Sequence, residues 1–380
     1  MTIRKILATL LALSMTLSLA ACGGNSTQTG TAQPEQTEQT EEASSVSDES
    51  VSDESASDET TAENTETETP ADETEASEPA EKVDINLAAL SGPTALGMLD
   101  LLEKNENGEA ANNYNVTIAT APDEVTGKII SGELDIAAVP TNVASTLYNK
   151  TEGQVQIAAL NTMGVLYVLE TGDTIQSVAD LAGKTIYATG QGSTPEYALN
   201  LVLEKNGLTP GEDVDLVFAA DNAEIAPLLA SGEAQVALLP QPFVTSVLTQ
   251  NENVRVALDL TEEWDKAVNG ESGLTMGCVV VRKEFAEQNK EALDRFLDEY
   301  KQSVETVTSE EGLAHAAELA EHYNIIKAAV AEKAIPECNI VFVEGDEMQQ
   351  IAGGFLQVLY DANPQAVGGQ LPNDDFYYKR

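Results

Sequence analysis

Five short stretches of this sequence carry side chains suited to holding a small molecule. They are Ser91-Gly-Pro-Thr94, Thr141-Asn142, Asn161-Thr162-Met163-Gly164, Gly190-Gln-Gly-Ser-Thr194 and Gln241-Pro242. Each follows an apolar, β-branched run and leads into a segment with helical spacing or turn residues. A loop at the carboxyl end of a strand that opens a helix presents unpaired N–H groups and the positive end of the helix dipole. Short hydroxyl and amide side chains add donors and acceptors of their own. No Lys, Arg, His, Asp or Glu lies in any of the five. A polyanion calls for guanidinium or ammonium groups, and a metal or polyamine for carboxylates, so the pattern points to a small polar organic ligand that is neutral, zwitterionic or singly anionic. The contacts it predicts are Ser91, Gly92, Thr94, Thr141, Asn142, Thr162, Gln191, Gly192, Ser193, Thr194 and Gln241. Helix caps explain Thr141, Asn142, Ser193 and Thr194 equally well, and both readings stand at this point.

Other reactive residue types are sparse. His315 and His322 are the only histidines, and both fall in a late Ala- and Glu-rich helical stretch rather than among the five loops. No Ser-His-Asp set follows, and two isolated imidazoles near Glu318 read as solvated rather than metal-binding. Cys22, Cys278 and Cys338 are too few for a disulfide scaffold and lack zinc spacing. Asp221-Asn-Ala-Glu224 reads as a capping box. No catalytic residue, metal site or cofactor is predicted.

The elements that must position the five loops alternate along the chain. Candidate strands cover residues 83–90, 115–119, 135–139, 155–160, 164–170, 184–188, 214–218, 235–239, 254–260 and 275–281. Helical patterns at 95–104, 123–131, 195–206, 223–231 and 242–249 fall between them, and the chain is nearly all helical from 282 to about 361. This is an α/β pattern with largely parallel sheets. Ser131-Gly-Glu-Leu-Asp-Ile-Ala-Ala-Val-Pro140 recurs 100 residues later as Ser231-Gly-Glu-Ala-Gln-Val-Ala-Leu-Leu-Pro240. Each copy reads as a helix stopped by glycine, a strand buried on both faces and a loop opening the next helix. Two such units imply two similar lobes.

The chain has 64 acidic and 19 basic residues among 380, a net charge of −45, and a surface of that sign repels nucleic acid. Arg4 and Lys5 precede an apolar run that ends Leu19-Ala-Ala-Cys22. Residues 1–21 therefore read as a signal peptide, and the junction resembles a lipobox, which makes Cys22 the expected lipid attachment site. Residues 22–82 follow, and positions 23–82 hold 18 acids, one lysine and almost no large apolar side chain. Such a segment cannot bury enough surface to fold and is expected to be a self-repelling disordered tether. Its length suits a Gram-positive cell surface.

With the motifs assembled, the chain resembles the substrate-binding lipoproteins of ABC importers, in the group that binds sulfonates, nitrate, taurine and thiamine precursors. The carrying segments are Leu87-Ala-Ala-Leu-Ser91-Gly-Pro-Thr-Ala-Leu-Gly97-Met, Gly132-Glu-Leu-Asp-Ile-Ala-Ala-Val-Pro-Thr141-Asn142, Leu181-Ala-Gly-Lys-Thr-Ile186 with Gly190-Gln-Gly-Ser-Thr194, and Leu238-Leu-Pro-Gln-Pro-Phe243. The resemblance covers residues 83–380 and implies a two-lobe periplasmic-binding-protein-like type II α/β fold with a hinge and an interlobe cleft. Lobe one would comprise 83–171 plus 274–380, and lobe two 172–273. It further implies a monomer that closes on its ligand, delivers it to ABC permease subunits, needs no cofactor and touches the membrane through its lipid alone. A surface sensor or adhesin reusing the fold is the alternative. An enzyme is not expected: a pyrimidine-synthesising relative relies on an active-site His and a Cys-rich iron motif, and neither occurs in the five loops.

Overall fold

A computed structural model describes residues 81–120 and 122–380. The expected signal peptide, the expected lipid attachment site Cys22 and the expected tether up to residue 80 lie outside the described residues. Glu81 and Lys82, placed in the tether by composition, are already tied to the folded part. Arg295 Nη2 donates to Glu81 O at 3.2 Å and Lys82 Nζ donates to Gly108 O at 2.9 Å.

The first stretch of chain runs β1 (Asp84–Leu90), α1 (Pro93–Leu96), α2 (Leu99–Glu106), β2 (Asn113–Ala119), α3 (Pro122–Ser131), β3 (Ile136–Pro140), α4 (Thr141–Lys150) and β4 (Val155–Met163). The middle runs β5 (Leu166–Thr171), β6 (Thr185–Ala188), α5 (Thr194–Lys205), β7 (Asp215–Phe218), α6 (Asn222–Ser231), β8 (Val236–Pro240), α7 (Phe243–Gln250), β9 (Val254–Asp259) and α8 (Leu260–Ala267). The last stretch runs β10 (Thr275–Arg282), α9 (Lys283–Gln288), α10 (Lys290–Thr308), α11 (Leu313–His322), α12 (Ala328–Ala334), β11 (Ile340–Val343) and α13 (Gly345–Ala362).

Two sheets result, ordered β11-β4-β10-β3-β1-β2 and β7-β6-β8-β5-β9. Strand for strand, β4-β10-β3-β1-β2 repeats as β9-β5-β8-β6-β7, each with its second strand antiparallel to the third. The sequence echo marks the centre of both. In β3, Ile136 and Ala138 enter the core beneath α2 and α10, while Ala137 and Val139 enter the opposite core. In β8, Val236 and Leu238 separate from Ala237 and Leu239 in the same way. Period-two side chains buried on both faces account for the continuous apolar runs. Gly132 (φ 81°) and Gly232 (φ 76°) end the preceding helices in the left-handed conformation that glycine tolerates.

Three expectations need correction. Residues 166–171 belong to the second lobe, not the first, because β5 pairs antiparallel with both β8 and β9. The chain therefore leaves the first sheet at Gly164–Val165, and it returns through α8 and the loop before β10. The helix expected over 95–104 is broken after Leu96, because the Ser303 hydroxyl accepts from Leu101 N at 3.2 Å and donates to Gly97 O at 2.8 Å in place of the helical bond between them. An additional helix, α8, follows Asp259, whose Oδ1 accepts from Thr261 N at 2.7 Å.

Each lobe has an ion pair at the end of its sheet away from the loops. Arg282 Nη2 meets Asp135 Oδ1 at 2.8 Å, and Asp135 Oδ2 accepts from the Asn86 amides. Arg255 Nη2 meets Glu170 Oε2 at 2.8 Å. Burial pushes the Glu170 carboxyl up, but the Thr174 hydroxyl, the Ile175 and Thr174 amides and Arg255 together hold it below the usual carboxylate range. Cys278 and Cys338 are both buried and form no disulfide among the described residues, and burial raises each thiol, Cys338 to about 12.

Candidate functional site

All five loops lie at one end of the two sheets, as the parallel strands β1, β3, β4, β6 and β8 require. On the first lobe, Ser91 is exposed and its N–H donates to Ala119 O at 2.8 Å. Gly92 (φ 128°) lets the chain turn directly into α1, and its carbonyl accepts from Ala95 and Leu96. Thr94 turns its hydroxyl back onto Leu90 O at 2.7 Å. Thr141 Oγ1 lies 3.0 Å from Thr275 Oγ1, and Thr162 Oγ1 donates to Asn161 Oδ1 at 3.2 Å. Gly277 keeps this cluster open, since a Cβ there would lie 2.6 Å from Asn161 Oδ1 and 3.0 Å from Thr94 Cγ2. Asn161 Nδ2 and the Tyr300 hydroxyl are both buried nearby and find no well-formed hydrogen bond among the described residues.

On the second lobe, Gly190 (φ 75°) and Gly192 (φ 73°) shape the loop before α5. Ser193 Oγ donates to Gly190 O at 2.7 Å rather than capping the helix. Gln191 is exposed. Gln241 N donates to Val165 O at 2.9 Å, and its Oε1 accepts from Thr245 N and Oγ1. The lobes meet where Thr194 Oγ1 donates to Asn142 Oδ1 at 3.0 Å, while Asn142 Nδ2 donates to Ala366 O at 3.2 Å. Thr141, Asn142, Thr162 and Thr194 thus converge on one buried region. Ser91, Gln191 and Gln241 have no hydrogen bond to it among the described residues.

Several contributors escaped the sequence reading. Thr275 and Ala366 reach the site only through long-range packing. Glu196 sends its carboxylate back to accept from Gly192 N at 2.5 Å, so one loop amide is already occupied by an acid. The Ser193-x-x-Glu196 spacing was a visible signal for that return. Asp221 behaves as the cap the sequence indicated, accepting from Ala223 N at 2.9 Å. His315 and His322 pair with Glu103 at 2.8 Å and Glu106 at 3.1 Å on α2. Among the described residues, no cluster of three or more His, Cys, Asp or Glu is placed to hold a metal. A groove of about 590 Å³ lined by Ile130, Lys150 and Arg282 lies at the opposite ends of the strands and shares no residue with the loops.

Two α/β lobes joined by two crossing segments, with polar helix starts meeting between them, define a two-lobe solute-binding protein of the type II class. The family model described as ABC transporter, phosphonate, periplasmic substrate-binding protein matches residues 100–332, and the chain belongs to that family. It is the small-ligand-binding component of an ABC transporter. Among solved structures, an ABC transporter protein from Parabacteroides distasonis is similar at 25% identity and a TM-score of 0.65, over 78% of this chain and 99% of that one. The aliphatic sulphonate binding protein SsuA of Escherichia coli shares the fold at 14% identity and a TM-score of 0.62, over 78% and 92%. SsuA from Xanthomonas axonopodis pv. citri, bound to MOPS, does so at 16% and 0.58, over 77% and 96%. No curated protein matches the chain. No helix of the described residues is long and apolar enough to cross a membrane.

Proposed function

We propose that the protein is a non-catalytic, monomeric binding lipoprotein, anchored by a lipid on Cys22 to the outer face of the cytoplasmic membrane of a Gram-positive cell. Its two lobes close on a small polar organic ligand that is neutral, zwitterionic or singly anionic, and it hands that ligand to a permease. The observation that carries the ligand class is the composition of the five loops, which hold Ser, Thr, Asn and Gln and no cationic side chain. Helix starts at α4, α5 and α7 supply N–H groups, and Ser91, Gly92, Thr94, Thr141, Thr162, Gln191 and Gln241 supply the rest of the wall. Such a site suits a sulfonate, a carboxylate or a polar heterocycle. A doubly ionised phosphonate, despite the family's description, lacks the guanidinium or ammonium partner it calls for.

Mass spectrometry of small molecules released from the purified protein, followed by thermal shift against sulfonates, carboxylates, amino acids, thiamine precursors and phosphonates, tests this reading. A true ligand at 100 times its dissociation constant adds about 2.7 kcal/mol. Stabilisation by phosphorylated compounds, polyamines or metal ions alone defeats it.

A further inference from the structure

Thr194 and Asn142 stand on opposite lobes, yet they are 1% and 3% exposed. Because they bond each other at 3.0 Å, they mark a point at which the two walls of the cleft have come together. Their hydrogen-bonding capacity is then directed inward. The Thr194 hydroxyl proton goes to Asn142 Oδ1, and an Asn142 Nδ2 proton goes to Ala366 O in the segment after α13. That segment is itself fixed to α4 by Ser145 Oγ and Asn149 Nδ2, which donate to Val367 O at 2.8 and 2.9 Å. Asn142 is therefore held rigidly on lobe one, already oriented toward α5. Among the described residues, the Thr194–Asn142 bond is the one hydrogen bond joining the two lobes away from the crossing segments, and no ion pair does so.

We infer that Thr194 and Asn142 form an interlobe latch, acting as positioning residues that set the balance between open and closed forms rather than as contacts that read the ligand. Both groups return to water when the cleft opens, so the bond contributes the net value of one neutral hydrogen bond. That corresponds to a shift of about fivefold in the ratio of closed to open molecules. Because a ligand that needs the closed form binds in proportion to its population, the latch scales affinity for every ligand equally and leaves selectivity to other residues.

The test needs no ligand, so its outcome is independent of the importer reading. Thr120 and Ala220 are exposed residues just beyond the ends of β2 and β7, the corresponding edge strands of the two lobes, and Cys278 and Cys338 are buried. Full-length protein carrying Cys22→Ser, Thr120→Cys and Ala220→Cys is spin-labelled, and the interlobe distance distribution is measured by double electron–electron resonance. A short-distance population is expected in this parent. Thr194→Val should move about fivefold of the closed-to-open ratio toward the long distance, Thr194→Ser should restore the parent distribution, and Asn142→Ala should reproduce the shift from the other lobe. Far-UV circular dichroism confirms that each variant is folded. An unchanged distribution in Thr194→Val, an equal shift in Thr194→Ser, or a parent found only at the long distance overturns the latch.

Discussion

Thr261 occupies the space in which any side chain at Gly164 would have to begin. A Cβ at position 164 would collide with the Thr261 hydroxyl and lie 2.8 Å from its methyl carbon. Gly164 is the crossing from β4 to β5, and Thr261 opens α8 on the return crossing, so the two connections between the lobes touch backbone to side chain. Asn339 secures the same point, with Nδ2 donating to Gly164 O at 3.1 Å and its own carbonyl accepting from Met163 N at 3.0 Å. Gly164→Ala should destabilise the protein by roughly 1–3 kcal/mol through overpacking. In a Thr261→Gly background the same change should cost clearly less. Urea unfolding of the four proteins measures the coupling, and additive costs would show that the crossing can give way.

Acid titration should expose Glu170. Its folded carboxyl sits below the ordinary value, with burial opposed by the Thr174 hydroxyl, the two amides and Arg255. A depressed folded pKa gives stability that is fully present above the unfolded value of about 4.3 and lost as pH falls through the folded one. Melting temperatures recorded from pH 6 to pH 3 should therefore converge for wild type and Glu170→Gln at the acid end and diverge above it. The comparison with the variant is necessary because acid also relieves repulsion among the domain's many other carboxylates. Parallel curves would exclude a titrating role for Glu170.

The His315–Glu103 pair should show the opposite sign. The hydrogen bond to the Glu103 carboxylate raises the imidazole above its ordinary value against the opposing effect of burial, with the charges of Glu103, Glu318 and Asp100 adding to the rise. Its stabilising contribution is complete below the unfolded value of about 6.5 and disappears as pH rises through the higher folded value. Proton NMR of the two histidines should place His315 above 6.5, and Glu103→Gln should bring it down. A resonance that does not respond to Glu103→Gln would mean the pair does not persist in solution.

Asp135→Ala should cost about 1.5–3 kcal/mol, since it removes one of the two carboxylates on Arg282, which keeps Glu284 at 3.1 Å, and frees the Asn86 amides that Asp135 Oδ2 satisfies. Chemical unfolding gives the value directly. Asp135 lies at the far end of β3 from the loops, so ligand affinity measured by calorimetry should stay within a factor of two, and a larger loss would couple that end to the cleft.

How much of this was legible beforehand varies with the range of the interactions involved. The β-branched run at 164–170 announced a strand, but its membership in the second sheet depends on partners at 236–240 and 254–259 that no local pattern identifies. The echo at Ser131 and Ser231 was legible because burial on both faces imposes the same apolar run wherever a central strand occurs. Helix starts at Thr141 and Thr194 followed from glycine, proline and hydroxyl placement, whereas their hydrogen bonding across the cleft depends on tertiary geometry. The break at Gly97 is set by Ser303, whose hydroxyl stands between Gly97 O and Leu101 N from more than 200 positions away in the chain. Helix α8 is different: Asp259-Leu-Thr-Glu262 has the spacing of a capped start, and the signal was in plain view.

Trp264, the sole tryptophan, is fully buried on α8, with its ring 5.7 Å from that of Phe355 on α13 and its Nε1 donating to Ser272 O at 2.9 Å. It stands on the return crossing, with its neighbour on the first lobe, so a bending motion there changes the polarity and quenching around one indole. The molecule thus carries an intrinsic optical gauge of its own hinge, readable as a change in emission from unlabelled protein in a stopped-flow cell.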